Sequence, residues 1–342
     1  MMNTSQINRV SKPTSCCLRV VLLLVCLFVA LPSVMCQEEE EKDWGVVNVS
    51  VCNLRNEPEY NAGMATQALL GMPLKVLGQD DWLHVELPDG YQAWVHPLSV
   101  YRMSRRQLEA WNQRRQVVVG VLNDYVYSLP DVRSQHVGDV VASCRLALLG
   151  SSRGFWYVAY PDGRKGYLRK ASATELNLFR QKASHSASAI LSTARSFMGL
   201  PYMWGGTSTK GVDCSGFVSA VMLMHDLVIV RNASQQATVG EHIEIAPDFS
   251  NLQPGDLLFF GSKARGTTPA RVFHVGFYMG GGRFIHSLGC VREGSFLPED
   301  PLYDEEELHR LLWAQRVLHV VNRSQGLRTT AATPFYKSSL PK

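Results

Sequence analysis

"GLPYMWGGTSTKGVDCSGFVSAVMLM", residues 199–224, carries the element on which the fold turns. A glycine-rich loop gives way near Cys214 to an apolar run, and Phe217, Val218, Val221 and Met222 predict a buried helix beginning at about Ser215. Cys214 then sits at the helix N-terminus, beside backbone N–H groups with no intrahelical partner and the positive end of the macrodipole. That setting lowers a thiol pKa from about 8.5 toward neutrality. The same N–H groups can receive a developing oxyanion.

Upstream, "SASAILSTARSFMGLP" places Ile190, Ala194, Phe197 and Met198 on one helical face, stopped by Gly199 and Pro201. Downstream, "LQPGDLLFFG" reads as a turn and a buried strand, and "RVFHVGFYMGGGRFIHSLG" as a hairpin turning at Gly280–Gly282. A turn there sets Gly276 opposite His286. Alternation then puts His274 and His286 on one face as diagonal neighbours, with Gly276 leaving room beside His286. A nucleophilic cysteine needs a base and a group to orient it. His274 fits the first role and His286 the second. His225, near a helix end, and His242, in a polar stretch, fit less well. Zinc bound by Cys214, Cys290, His274 and His286 is a weaker reading, because the chain has no CxxC or HExxH. No metal or other cofactor is expected.

Before Leu176 the chain repeats itself. Trp82 and Trp156 each open a strand, a "PDG" turn follows (Pro88–Gly90 and Pro161–Gly163), and Trp94 and Tyr167 lie in the strands that close each unit. Short alternating strands with a period of about 74 residues predict two small β-barrels, with the tryptophans as core filling. "RRQLEAWNQRRQ", residues 105–116, reads as a solvated linker helix, and the chain after Asn322 as a loose polar tail.

The 342 residues are 46% hydrophobic and 19% charged, an ordinary globular balance, and a net charge of +4 is too small to argue for nucleic acid. Residues 1–36 have the layout of an export signal: a basic flank, an apolar core of about 12 residues and a cleavage region. "SVMC" also resembles a lipoprotein signal, with Cys36 as the lipidated residue. The cysteines beyond the signal, Cys52, Cys144, Cys214 and Cys290, are too dispersed for a disulfide framework.

The stretches "GLPYMWGGTSTKGVDCSGFV", "LQPGDLLFF" and "HVGFYMGGGRFIHSLG" together resemble the NlpC-type cell-wall cysteine peptidases, over residues 183–322. The two repeats, residues 44–103 and 116–176, resemble bacterial SH3-like domains, the first more closely. With them the chain resembles, more narrowly, the γ-D-glutamyl-L-diamino acid endopeptidases, or dipeptidyl-peptidase VI, which act on peptidoglycan-derived peptides. The resemblance implies an α+β fold: a papain-like catalytic domain after two SH3-like barrels, ahead of the polar tail at 323–342. It also implies work outside the cytoplasm, in the periplasm or cell envelope. Carried over by position, Cys214 is the nucleophile, His274 the base and His286 the third member. Tyr202 lines the oxyanion site. Asp213 holds the substrate's amino group, with a helix N-cap as its other reading. Ser215 is a polar contact, and Tyr91 points to the amine from the first barrel.

Two positions depart from the pattern. Gly63 stands where such proteins usually carry a glutamate for the substrate's amine, and Asn232 where they tend to carry aspartate. An amidase or acyltransferase on the same scaffold, or a wall-binding protein without catalysis, are the alternative readings.

Overall fold

A computed structural model describes residues 41–323 and 325–340. The signal read over residues 1–36, with Cys36, lies outside the described residues.

The first sheet comprises β1 (Trp44–Val47), β2 (Val51–Arg55), β3 (Met64–Leu69), β4 (Pro73–Gln79), β5 (Leu83–Glu86), β6 (Gln92–Val95) and β7 (Val100–Met103). The second comprises β8 (Gln116–Val119), β9 (Asn123–Tyr127), β10 (His136–Val141), β11 (Arg145–Ser152), β12 (Phe155–Ala159), β13 (Lys165–Arg169) and β14 (Ala173–Glu175). The orders are β3-β2-β6-β5-β4-β1-β7 and β10-β9-β13-β12-β11-β8-β14. Subtracting seven from each label of the second gives the first, so the sequence repeat is a repeat of topology. Leu54, Leu74, Leu83 and Val85 fill the first core, and Val117, Val126, Leu146 and Leu168 the second. Both "PDG" turns use their glycine in the left-handed region, at φ 82° for Gly90 and 93° for Gly163.

Between the sheets runs α1 (Arg105–Gln113). It is not merely a solvated linker. Ser104 and Gln107 form a capping box, and Leu108 and Trp111 are buried. The expected loose tail is also corrected: Phe335, Tyr336 and Leu340 are buried in one cluster with Trp44, Leu108 and Trp111.

The remaining chain forms α2 (Leu176–Lys182), α3 (Ala187–Ser196), β15 (Thr207–Ser208), β16 (Gly211–Val212), α4 (Cys214–Leu223), β17 (Leu227–Ile229), α5 (Ala233–Gln236) and β18 (Glu241–Ile243). β19 (Leu257–Ser262), β20 (Arg271–Gly280), β21 (Arg283–Leu288), β22 (Cys290–Ser295), α6 (Glu305–Arg310), β23 (Leu311–Arg316) and β24 (Leu327–Thr329) follow. An antiparallel sheet in the order β18-β23-β19-β20-β21-β22 backs the site. His242, read from the sequence only as part of a polar stretch, belongs to it, paired with Gln315. β24 pairs with β17, another reason the tail is ordered.

α4 is the hub of this core. Phe217, Val218, Val221 and Met222 are fully buried, each worth roughly 1.5–3 kcal/mol of apolar transfer. Phe217 meets Phe197 of the α3 end and Phe277 of β20 edge-on, both at 5.8 Å. Met198, expected on the buried face of α3, is half exposed because the helix ends at Ser196 and Phe197 takes the cap.

Candidate active site

Asp213 starts the site. Its backbone is extended, and its Oδ1 accepts the N–H of Gly216 at 2.7 Å, so it is the N-cap and Cys214 is the first helical residue. The helix begins one residue earlier than the sequence suggested. The first turn lies hard against the preceding loop: Asp213 N–H donates to the Gly206 carbonyl at 3.1 Å. A Cβ on Gly216 would come within 1.9 Å of that same oxygen.

Asp213 has further partners. Oδ2 accepts the Gly205 N–H at 2.9 Å. Arg231, itself 3% exposed, donates to both carboxylate oxygens, at 3.1 and 2.5 Å, and to Ser215 Oγ at 2.9 Å. Its Nε donates to Thr66 Oγ1 of β3 at 2.9 Å. Asp213 is therefore a cap whose charge is already matched, in a bidentate geometry. Its N-cap reading is thus filled, and the same carboxylate also lines the cleft beside Cys214. Arg231 was missed by sequence reasoning. Its one signal is an arginine closing the apolar run "LVIV", where a charge is buried only with a partner.

The histidines come from adjacent strands. Gly276 pairs with His286 in the β20–β21 register, and His274 lies two residues back. His274 Nε2 and His286 Nδ1 are 2.8 Å apart. A Cβ on Gly276 would stand 2.9 Å from the His286 Cβ, so glycine makes the room. Cys214 is 7% exposed, His274 7% and His286 0%. The thiol donates a long hydrogen bond, 3.9 Å, to the carbonyl of Phe273, the residue before His274.

The electrostatics differ from the sequence expectation. Burial pushes the Cys214 thiol up to about 11, and the Asp213 charge adds to this, against the N–H groups of Ser215 and Val275. Burial likewise lowers His274 to about 4, helped by Arg310 and Arg292. His286 falls to about 2, through burial and then His274. Desolvation outweighs the helix terminus here. Both shifts favour a neutral thiol and a neutral imidazole at rest.

Tyr202 and Ser215 line a cleft with Cys214, and Tyr91 and Met64 of the first β-unit form the opposite wall. Burial, then the Cys214 and Asp213 charges, raise the Tyr202 phenol, which keeps its proton and can donate it. Gln67 of β3 ties the wall in place, accepting from Thr207 N–H at 3.0 Å and Ser208 Oγ at 2.8 Å. The other histidine candidate, His225, is spent structurally: its nitrogens lie 2.7 Å from the Ser184 carbonyl and 2.8 Å from Thr193 Oγ1. Cys52, Cys144, Cys214 and Cys290 are free thiols. Neither Cys214 nor Cys290 joins the histidines in a metal-compatible group; the residue that does so, among the described residues, is Glu307.

A capped helix presenting a thiol beside a histidine pair is the equipment of a cysteine-type hydrolase. The model of the NlpC/P60 family matches residues 199–321, and that of the bacterial dipeptidyl-peptidase Sh3 domain matches residues 54–98. The chain is 31% identical, over 71% of its length, to 73% of a gamma-D-glutamyl-L-lysine dipeptidyl-peptidase from Bacillus cereus. It is 30% identical, over 76% of its length, to 94% of dipeptidyl-peptidase 6 from Lysinibacillus sphaericus. The crystal structure of an NlpC/P60 family protein from Bacillus cereus superposes with a TM-score of 0.66 at 25% identity, covering 80% of this chain and 99% of that one. The chain belongs to the NlpC/P60 family, with an N-terminal SH3-like domain ahead of the catalytic fold.

Proposed function

We propose that this protein is an exported cysteine peptidase that hydrolyses the amide between γ-D-glutamate and a diamino acid in peptidoglycan stem peptides. The observation that carries the reading is the histidine pair, 2.8 Å apart, held on the sheet against which the Cys214 helix packs. The relatives named for γ-D-glutamyl-L-lysine cleavage supply the substrate class.

In this reading residues 183–322 form a papain-like α+β domain, and residues 44–103 and 116–176 two SH3-like barrels, the second inferred from the shared strand order. Residues 1–36 direct export to the periplasm or envelope, and Cys36 is a lipidation site to test there. Chemistry begins from neutral groups. As Sγ of Cys214 bonds to the substrate carbonyl carbon, its proton passes to Nδ1 of His274, whose Nε2–H is held by Nδ1 of His286. The oxyanion is met by N–H groups of the α4 terminus and the Tyr202 hydroxyl. Collapse breaks the C–N bond, and the proton moves from His274 to the leaving amine. Water then frees the acyl group.

Ser215, Asp213 and Tyr91 shape the end of the cleft that receives the substrate's N-terminal residue. Arg231 balances Asp213 there, and Gly63 adds no charge. The site therefore demands a free amine less strictly than a doubly acidic cleft would. The test is to incubate wild-type and Cys214→Ala protein with L-Ala-γ-D-Glu-diaminopimelate, free and N-blocked, and to identify products by mass spectrometry. Wild type releases the diamino acid and Cys214→Ala does not; an intact peptide after prolonged incubation with wild type sinks the peptidase reading.

A further inference from the structure

We infer that Glu307 is a positioning residue of this site: its buried carboxylate takes the Nε2 hydrogen of His286 through one water, and so fixes the tautomer that makes His274 a base. The inference rests on the cysteine peptidase reading, and it begins from proton positions. For His274 to take the thiol proton on Nδ1, its own hydrogen must be on Nε2. That hydrogen is donated to His286, because Nε2 of one ring faces Nδ1 of the other at 2.8 Å. His286 must then accept with Nδ1. As a neutral ring it carries its hydrogen on Nε2.

That Nε2 is buried and has no protein partner among the described residues. A buried N–H without an acceptor is rare in folded proteins. Glu307 supplies the matching lack. It is 2% exposed, its Oε2 is buried without a partner, and a carboxylate oxygen lies within 4.8 Å of a ring nitrogen of each histidine. Its other oxygen, Oε1, accepts from Arg310 Nη1 at 3.1 Å. Donor and acceptor are thus the two unspent atoms of one buried cluster. A cation shared by the three residues fits less well, because the histidine–histidine hydrogen bond already uses the two facing nitrogens.

The surrounding charges agree with this role. Arg292 stands across from His286 in the β21–β22 register and pairs with Asp304 at 2.9 Å. Arg310 faces the same cluster from α6 and is held by Glu306 and Glu307. Loss of Glu307 would remove one of the carboxylates that hold Arg310, a charge that lowers the His274 pKa. With Glu307 in place, the positive charge on His274 is relayed through His286 toward an acceptor.

Three measurements decide the matter. Nitrogen-15 NMR of wild-type protein with labelled histidine reads the His286 tautomer at neutral pH, and it needs no turnover. A hydrogen on Nε2 is expected; a hydrogen on Nδ1 overturns the inference even if the protein is an active peptidase. Glu307→Leu is expected to lower kcat roughly 10–100-fold with KM within about twofold, as loss of an orienting outer partner does, and to scramble the tautomer. Glu307→Gln keeps an acceptor oxygen and is expected to stay within about threefold of wild type. Unchanged kcat and tautomer in Glu307→Leu overturn the assignment. Should Glu307→Leu fail to fold, the wild-type tautomer and the Glu307→Gln rate still decide it. An inactive wild type with the expected tautomer would fault the peptidase reading and leave only the tautomer assignment standing.

Discussion

In the proposed reaction Cys214 starts with its proton on. Burial raises its pKa to about 11 and lowers that of His274 to about 4, and both shifts disfavour a resting ion pair. Nucleophilicity must then come from proton transfer within the bound complex rather than from a stored thiolate. The alkylation rate of Cys214 by iodoacetamide should rise with pH to a midpoint above about 9. A midpoint below about 7 would mean a preformed ion pair. The histidines also make folding sensitive to acid. Their folded pKa values lie below the unfolded value of about 6.5, so the unfolded chain binds more protons as pH falls. Their contribution is complete above about pH 6.5 and is lost as pH drops toward 4, by roughly 3 kcal/mol for His274 alone. Unfolding by urea at pH 7 and pH 4.5 measures this, and an unchanged midpoint would contradict it.

At the scale of elements, one helix end and one hairpin do the placing. The hairpin was legible because strand alternation has a period of two and three glycines mark the turn. Those rules alone put Gly276 opposite His286. The helix was legible from its apolar run, though the cap shifted its start from Ser215 to Cys214. What the sequence could not supply is distance in three dimensions. Nothing in "DEEELHR" separates Glu307 from the two glutamates before it until α6 turns it inward. The direction of the thiol shift was missed for the same reason. A helix terminus can be read from a sequence, but the depth of burial that opposes it cannot. The α4 start is also a packing joint: Gly216→Ala would drive a Cβ to 1.9 Å from the Gly206 oxygen. Expected are a loss of roughly 1–3 kcal/mol in urea unfolding and a larger fall in activity as Cys214 is displaced. Wild-type stability and rate would show that the loop gives way freely.

Over the whole molecule, the cleft is shared. The first β-unit contributes Tyr91 and Met64, and its Thr66 and Gln67 anchor Arg231 and the loop before α4. Such joints bring together residues more than a hundred positions apart, which no local pattern announces. The ordered tail escaped notice likewise, because Phe335, Tyr336 and Leu340 are three apolar residues in a polar run whose partners lie near the other end of the chain. Gly63 precedes the wall residue Met64, and a Cβ there would approach Asn56 Nδ2, also on that wall, to 3.1 Å, a contact a side-chain amide can relieve. Gly63→Glu should raise the preference for a free over a blocked N-terminus by about tenfold, near 1.4 kcal/mol for a partly solvated charge pair. An unchanged ratio of kcat/KM values would place the substrate's amine elsewhere.

The central claim is that Cys214 carries the acyl group. Acid quenching within the first turnover of L-Ala-γ-D-Glu-diaminopimelate, followed by digestion and mass spectrometry, tests it most directly. The L-Ala-γ-D-Glu acyl mass is predicted on the peptide containing Cys214, and absent from the Cys214→Ala protein. Cleavage that proceeds at the same rate in Cys214→Ala, or an acyl mass on another residue, would contradict it.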